Sequence, residues 1–322
     1  MNMEQQTDQF ADDFNLGAKK EIPERNFADD PRCGFFPDMT DDEYFGDPIV
    51  EGSCNNSAIS ILIAETPLDF AYQHPRMNPD VGLERVAETV AMRRGDIVHQ
   101  LALGKGNGYA VLPFNDFRTK AAKAARDEAI ANGLTPMIES AFAEAQVMAE
   151  VLRHKFEVML DGAPYQTEVA IVWKEETPVG EIYCRGRLDV WCPDLNIVID
   201  PKITAKLGNG RGGREEAKWH NINMGWDRQA AFYCRGIERL EPRREGKVQF
   251  FDIMVKPVEP FTTRTVRHDM IWKRTSLYEC LEPMELFAKC QASGSWPGYP
   301  DNEVWSLPPA EENRRLDREI TT

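Results

Sequence analysis

The stretch that most constrains this chain reads as a β-hairpin over residues 181–204. Gly186-Arg187-Leu188-Asp189-Val190 and Ile197-Val198-Ile199-Asp200-Pro201-Lys202 have the β-branched, alternating character of strands, and Pro193-Asp194-Leu195-Asn196 supplies the turn. Side chains alternate faces along a strand, so Asp200 and Lys202 point one way and Pro201 the other. Pairing the strands brings Asp189 to the same face. Carboxylate oxygens suit a hard cation such as Mg2+ or Mn2+, and a lysine beside them orients or activates a water, which is the equipment of metal-dependent phosphodiester cleavage. A solvated hairpin whose Asp and Lys merely pair shows the same D-x-K spacing, so the motif alone decides nothing. Pro201 lacks an N–H and implies a bulge or an unpaired position beside the two acids.

The motif has company along most of the chain. Gln229 and Tyr233 stand in Gln-Ala-Ala-Phe-Tyr, on one face of a helix. His99 closes Arg94-Gly95-Asp96-Ile97-Val98-His99, and Glu168 sits in Thr167-Glu168-Val169. Tyr44-Phe45-Gly46-Asp47-Pro48, Asn56-Ser57-Ala58-Ile59-Ser60 and Thr66-Pro67 precede them, and Gly294-Ser295-Trp296-Pro297-Gly298-Tyr299 follows. In this order the elements resemble the PD-(D/E)XK nuclease superfamily. Asp189 and Asp200-Pro201-Lys202 match its defining motif, Gln229 and Tyr233 the Gln-x-x-x-Tyr element of its RecB-type branch, and His99 and Glu168 that branch's upstream histidine and early strand acid. The opening and closing motifs are similar to those of phage and prophage RecE-type exodeoxyribonucleases (exodeoxyribonuclease VIII-like). The resemblance runs from residue 40 or so to the neighbourhood of residue 308.

Composition is compatible with such an enzyme. The 322 residues allow one large domain or two small ones, and 42% hydrophobic residues is ordinary for a globular chain. The longest clean apolar run, Ala58 to Ala64, is far too short to span a bilayer, and the polar, acidic start lacks the pattern of a secretory signal, which predicts a cytoplasmic protein of a bacterial or phage-infected cell. The 7 cysteines form neither a C-x-x-C pair nor a zinc spacing, and are expected as reduced thiols. Some RecB-type relatives hold an iron–sulphur cluster through a close C-terminal cysteine group; Cys280 and Cys290 do not supply one, so no cluster is expected. A net charge of −15 speaks against a high-affinity, sequence-reading DNA binder. The acidity is peripheral, however: residues 1–47 carry 13 acidic and 4 basic side chains, whereas Arg185–Arg235 carries 9 basic and 6 acidic.

The pattern predicts an α/β protein: a central mixed sheet flanked by helices, with an N-terminal helical lobe. Residues 1–35 read as a disordered acidic arm, 36–308 as one nuclease domain (helical lobe 36–156, catalytic sheet core 157–308), and 309–322 as a polar tail. Helices are expected over Ser57–His74 (Ser57 as N-cap, Pro67 kinking or splitting it), 82–103, 116–132, 135–156, Asn221–Arg239 and 270–292. Strands are expected over Gln166–Trp173, Glu181–Trp191, Asn196–Thr204, Lys247–Lys256 and Thr262–His268. Gly208-Asn-Gly-Arg-Gly-Gly213 fits G-x-G-x-x-G, but no apolar helix opens after it, so a loop is expected, either presenting Arg211, Arg214 and Lys218 to DNA phosphates or simply connecting elements.

The resemblance implies a Mg2+-dependent exodeoxyribonuclease, with Mn2+ as a substitute, that degrades linear double-stranded DNA from its ends in recombination, 5′ to 3′. It implies Asp189, Asp200 and His99 as metal ligands, and Lys202, Gln229 and Glu168 as the remaining catalytic groups. Arg187, Arg211, Arg214, Lys218 and Tyr233 are the expected DNA contacts. Two alternatives stay open at single residues: Glu168 either serves the metal or pairs across the strand with Arg185 or Arg187, and Tyr233 either meets DNA or belongs to the core. A ring-shaped homo-oligomer and a single-strand-annealing recombination protein are the implied partners. The alternatives for the whole chain are an endonuclease or single-strand-specific nuclease, and a catalytically quiet DNA-binding scaffold on the same fold.

Overall fold

The computed structural model describes residues 30–79, 90–106, 108–208 and 215–319. A six-stranded sheet has the order β1 (Gly34–Phe36), β4 (Gln166–Thr177), β5 (Gly180–Cys192), β6 (Ile197–Ile203), β7 (Gln249–Val255) and β8 (Thr263–Arg267). Within it β6 and β7 run parallel and the other neighbours antiparallel, so the sheet is mixed. The strands β2 (Tyr109–Leu112) and β3 (Thr135–Ile138) form a small parallel pair apart from it.

Helices cover both faces. The first five are α1 (Asp41–Phe45), α2 (Asn56–Ala64), α3 (Pro67–Gln73), α4 (Val90–Leu103) and α5 (Lys120–Ala131). The others are α6 (Glu139–Leu160), α7 (Glu215–Asn223), α8 (Trp226–Leu240), α9 (Met270–Ser293) and α10 (Pro309–Glu319). On one face α2, α3, α8 and α9 bury Trp173, Phe232, Phe250 and Phe287. On the other α4 and α6 bury Ile97, Val98, Leu152 and Phe156 against Ile199 and Ile253. Each such large side chain contributes roughly 1.5–3 kcal/mol on burial. The helix α8 lies close to the sheet because two glycines allow it. A Cβ on Gly186 would stand 2.7 Å from the Tyr233 ring, and one on Gly236 2.8 Å from the Trp173 ring.

The predicted elements are present, with local differences. Residues 30–36 do not belong to a loose arm: β1 pairs with β4, Tyr183 donates to Asp30 (2.5 Å), and the Arg32 guanidinium stacks on Tyr183. The helix over 57–74 splits at Pro67, but its N-cap is Asn55, whose side chain accepts from the Ala58 N–H, and Thr66 caps the second half. Residues 135–138 form β3 rather than opening a helix, since Pro136 disfavours helical geometry at Thr135. The helix over 221–239 is two, parted at Gly225 with φ +66°. Pro309–Glu319 is helical. Val86 of the 82–103 reading lies outside the described residues. No helix among the described residues is long and apolar enough to cross a membrane.

Candidate active site

Strand register carries a row of acids across the sheet. Thr167 faces Val190 and Val169 faces Leu188, with the ladder broken between them, so Glu168 stands opposite Asp189. Val190 faces Ile199, and one step further along sets Asp189 against Asp200. Asp200 in turn faces Asp252 on β7. Glu168 holds a left-handed backbone, φ +52°, an arrangement that costs a non-glycine residue about 1–2 kcal/mol. The break exchanges the faces of β5: Leu188 packs into the core beneath α8, whereas Val190 packs into the core beneath α6. Strict alternation would put both on one side.

The ladder between β5 and β6 ends at Ile199. Pro201 therefore costs no pairing to β5, while β6 continues to pair with β7 through Ile203. In the gap beyond Ile199 the two faces of the sheet meet. His99, on α4, donates from Nε2 to the Pro201 carbonyl at 2.7 Å. A carbonyl only accepts, so the proton sits on Nε2 and the Nδ1 lone pair points at Asp189, 3.4 Å from Oδ2. From the α8 side, Lys202 Nζ donates to Asp200 Oδ2 (2.7 Å) and to Gln229 Oε1 (2.9 Å). Tyr233, four residues further along α8, lies on the same helix face as Gln229.

The charges are crowded. Burial, then the neighbouring Asp200 and Glu168 carboxylates, push Asp189 well above the usual carboxylate range. Burial also raises Glu168, against the opposing charge of Arg187. Burial lowers His99, keeping the ring neutral. Burial works against the Lys202 ammonium, yet Asp200, Asp252 and Asp189 outweigh it and hold the lysine above its usual value. Negative charge here exceeds what the protein neutralises, which is the condition for binding a cation.

The donor set fits a divalent metal. His99, Glu168 and Asp189 each offer one ligand atom, all within 4.8 Å of one another. Asp200 engages Lys202 through Oδ2 and leaves Oδ1 buried without a hydrogen-bond partner. Two carboxylates and a neutral imidazole, with a third carboxylate alongside, match Mg2+ or Mn2+ chemistry better than the thiolate sets of zinc or iron–sulphur sites.

Two of the expected DNA contacts are placed otherwise. Arg187 lies between two carboxylates, Glu168 (2.6 Å) and Asp41 (2.6 Å), instead of facing outward to DNA. Glu168 is thus both cross-strand partner and member of the cation cluster. Tyr233 is buried over Gly186, so it is not a surface contact for DNA. Lys218 is exposed on α7; Arg211 and Arg214 lie outside the described residues. The reading from sequence missed Asp41, which anchors Arg187, and Asp252. The signal for the second is a single acid inside the apolar run Phe250-Phe251-Asp252-Ile253.

A mixed sheet that sets Asp189, Asp200 and Lys202 on neighbouring strands, backed by a helix bearing Gln229, is the PD-(D/E)XK nuclease fold. The chain belongs to the family described as a PDDEXK-like domain of unknown function (DUF3799), whose profile matches residues 78–303. No curated protein matches it. Among solved structures it is similar to a protein of Eubacterium rectale described as a candidate exonuclease, with TM-score 0.55 and 13% identity over 86% of this chain and 97% of that one. A phage-related exonuclease from Haemophilus somnus 129PT matches at TM-score 0.32 and 12% identity, over 76% of this chain and 97% of that one, a likeness too loose to carry weight.

Proposed function

We propose that this chain is a Mg2+-dependent exodeoxyribonuclease that hydrolyses linear double-stranded DNA from its ends, 5′ to 3′, with Mn2+ able to substitute. The observation that carries this reading is the convergence of Asp189, Glu168 and His99 around one point, with the Asp200–Lys202–Gln229 chain beside it. The family supports a nuclease, and the description of the Eubacterium rectale relative supports action at ends.

When bound by Asp189, Glu168 and His99 beside Asp200, the ion supplies Lewis acidity at a phosphoryl oxygen and lowers the pKa of a water. The protein's own groups do the rest. Asp200 and Gln229 fix the Lys202 ammonium, which stabilises charge on the transferring phosphoryl group or orients the attacking water. The Pro201 carbonyl holds the His99 ring in the tautomer that leaves Nδ1 free to ligate. Lys218, exposed on α7, supplies a phosphate contact. In this reading the enzyme is cytoplasmic, works as a ring-shaped homo-oligomer and hands its single strand to an annealing protein during recombination.

The test is digestion of end-labelled linear duplex and of covalently closed circles with Mg2+, Mn2+ or EDTA, wild type beside Asp200→Ala. The proposal expects label lost progressively from 5′ ends of linear DNA, with metal and in the wild type alone. Cleavage of circles would instead make the chain an endonuclease, and inertness under every condition would make it a scaffold.

A further inference from the structure

Asp252 is the fourth carboxylate of the transverse row, and neither the cation cluster nor the D-x-K motif uses it. It lies on β7 beside Asp200, in the parallel part of the sheet, where neighbouring strands run roughly 4.8 Å apart and register partners share a face. Lys202, two residues beyond Asp200, projects from that same face. Asp252 is 0% exposed.

Its surroundings are polar and built from three separate elements. Asn221, on α7, donates from Nδ2 to Asp252 Oδ2 at 2.7 Å. His268, just past the end of β8, approaches the same oxygen with Nε2 at 2.7 Å, and is itself buried. Asp252 Oδ1 is buried without a hydrogen-bond partner. Among the described residues no lysine or arginine forms an ion pair with Asp252. A carboxylate so enclosed is costly, and a well-packed apolar side chain in its place is often neutral or stabilising. Stability alone is therefore a poor reason for the acid. The cation on that same face is Lys202, two residues along β6 from Asp200, the register partner of Asp252.

We propose that Asp252 is a positioning residue for Lys202: its fixed charge, oriented by Asn221 and His268, draws the ammonium into the place set by Asp200 and Gln229. This rests on reading the site as a nuclease centre. The division of labour follows from the hydrogen bonds. Asp200 Oδ2 and Gln229 Oε1 take up two of the ammonium's donors, leaving one for a substrate oxygen. Asp252 acts through the lysine and does not touch DNA.

The decisive variant is Asp252→Asn, which keeps an oxygen for Asn221 and His268 and removes the charge. Duplex digestion in Mg2+ is measured well below the variant's melting temperature, and Lys202 acetylation by acetic anhydride is followed by mass spectrometry without DNA or metal. The expected result is a fall in kcat of about 10- to 100-fold, the range for groups that orient catalytic residues, with KM for DNA ends unchanged. Lys202 should also acetylate several-fold faster than in the wild type, with other lysines unaffected. An unaltered kcat would overturn the proposal whatever the labelling shows, since a merely structural acid lowers the melting temperature and leaves turnover per folded molecule intact. If Asp252→Asn does not fold, His268→Ala and His268→Gln ask the same question: the alanine should lose turnover and the glutamine, which restores an N–H, should recover it. Failure of that rescue overturns the proposal. If the wild type proves inert on DNA, the nuclease reading fails, and the acetylation rates alone decide whether Asp252 holds Lys202.

Discussion

Two acidic clusters sit on the same stretch of β5, a buried one around Arg185 and a half-buried one around Asp189, and they are built on opposite plans. At the first, Asp47 is saturated. Its Oδ1 accepts from the Ile49 N–H and the Ser53 hydroxyl, and its Oδ2 from the Ser53 N–H and His74 Nε2, with the Arg185 guanidinium at 2.5 Å. Arg76 closes over the Asp47 carbonyl. Burial raises Asp47, but the His74 hydrogen bond and the Arg185 charge outweigh it and hold the carboxyl below its usual range. At the second cluster, burial and neighbouring acids drive Asp189 upward, and Asp200 keeps an oxygen without a partner. A satisfied ion cluster fixes loops; an unsatisfied one waits for a ligand.

Breaking the satisfied cluster should have the largest effect on folding. Asp47→Ala leaves the Arg185 charge buried beside Ser53 and uncompensated, and should cost about 3–5 kcal/mol. Denaturant midpoints of variant and wild type measure this; a cost below about 1 kcal/mol would remove the contrast with Asp189. Next in size is Asp189→Asn, with opposite signs on function and stability. Turnover should fall by about 10²–10³-fold, the loss for removing one preorganised electrostatic group. Without metal, the variant should melt above the wild type at neutral pH, because one of the mutually repelling carboxylates is gone. A lower melting temperature would show that Asp189 is held as well as Asp47.

The contrast also explains how far the sequence could be read. Asp189, Asp200 and Lys202 were legible because a period of two and one turn suffice to bring them together, and Gln229 because helical spacing ties it to Tyr233. The saturated cluster was opaque: Asp47, His74 and Arg185 come from two loops and a strand, and no local period relates them. The same holds for Asp252, whose place beside Asp200 depends on a parallel crossover through α7 and α8. The left-handed Glu168 was invisible for another reason, since nothing in Thr-Glu-Val announces a positive φ. Its consequence is the exchange of faces at Asp189, which simple alternation misses. The strand β3 went unseen because Thr135-Pro-Met-Ile runs directly into a strong helical pattern.

A third test sharpens the contrast through pH. Asp189 binds its proton more tightly folded than unfolded, so without metal the fold loses stability as pH rises from the unfolded carboxylate range through the raised folded value. A divalent ion needs the deprotonated acid, so stabilisation by metal is present above that folded value and lost as pH falls through it. His99, lowered by burial, stays neutral to lower pH than a free imidazole and leaves the transition to the acids. At neutral pH and Mg2+ about 100-fold over its dissociation constant, the gain should be about 2.7 kcal/mol, or roughly 4 °C in melting temperature. Calorimetric scans across pH with and without Mg2+ check the sign, and a metal effect that grew toward acid pH would contradict it.

The smallest effect separates strain from charge at one residue. Glu168→Ala and Glu168→Gly both remove the carboxylate and its pairing with Arg187. In an ordinary strand the glycine variant would be the weaker by about 0.5–1 kcal/mol. At φ +52° the order should reverse, because alanine keeps the left-handed penalty and glycine sheds it, leaving glycine the more stable by about 1 kcal/mol. Both should lose nuclease activity alike, since neither restores the cation cluster. Alanine melting above glycine would mean that the backbone at 168 relaxes once the acid is gone, so that the carboxylate's attraction to Arg187, and not the surrounding sheet, holds the residue in its strained form. The reverse order would show the strain to be imposed by the flanking pairs Thr167–Val190 and Val169–Leu188, which fix the backbone at 168 from both sides and set its side chain against Asp189 before any metal binds.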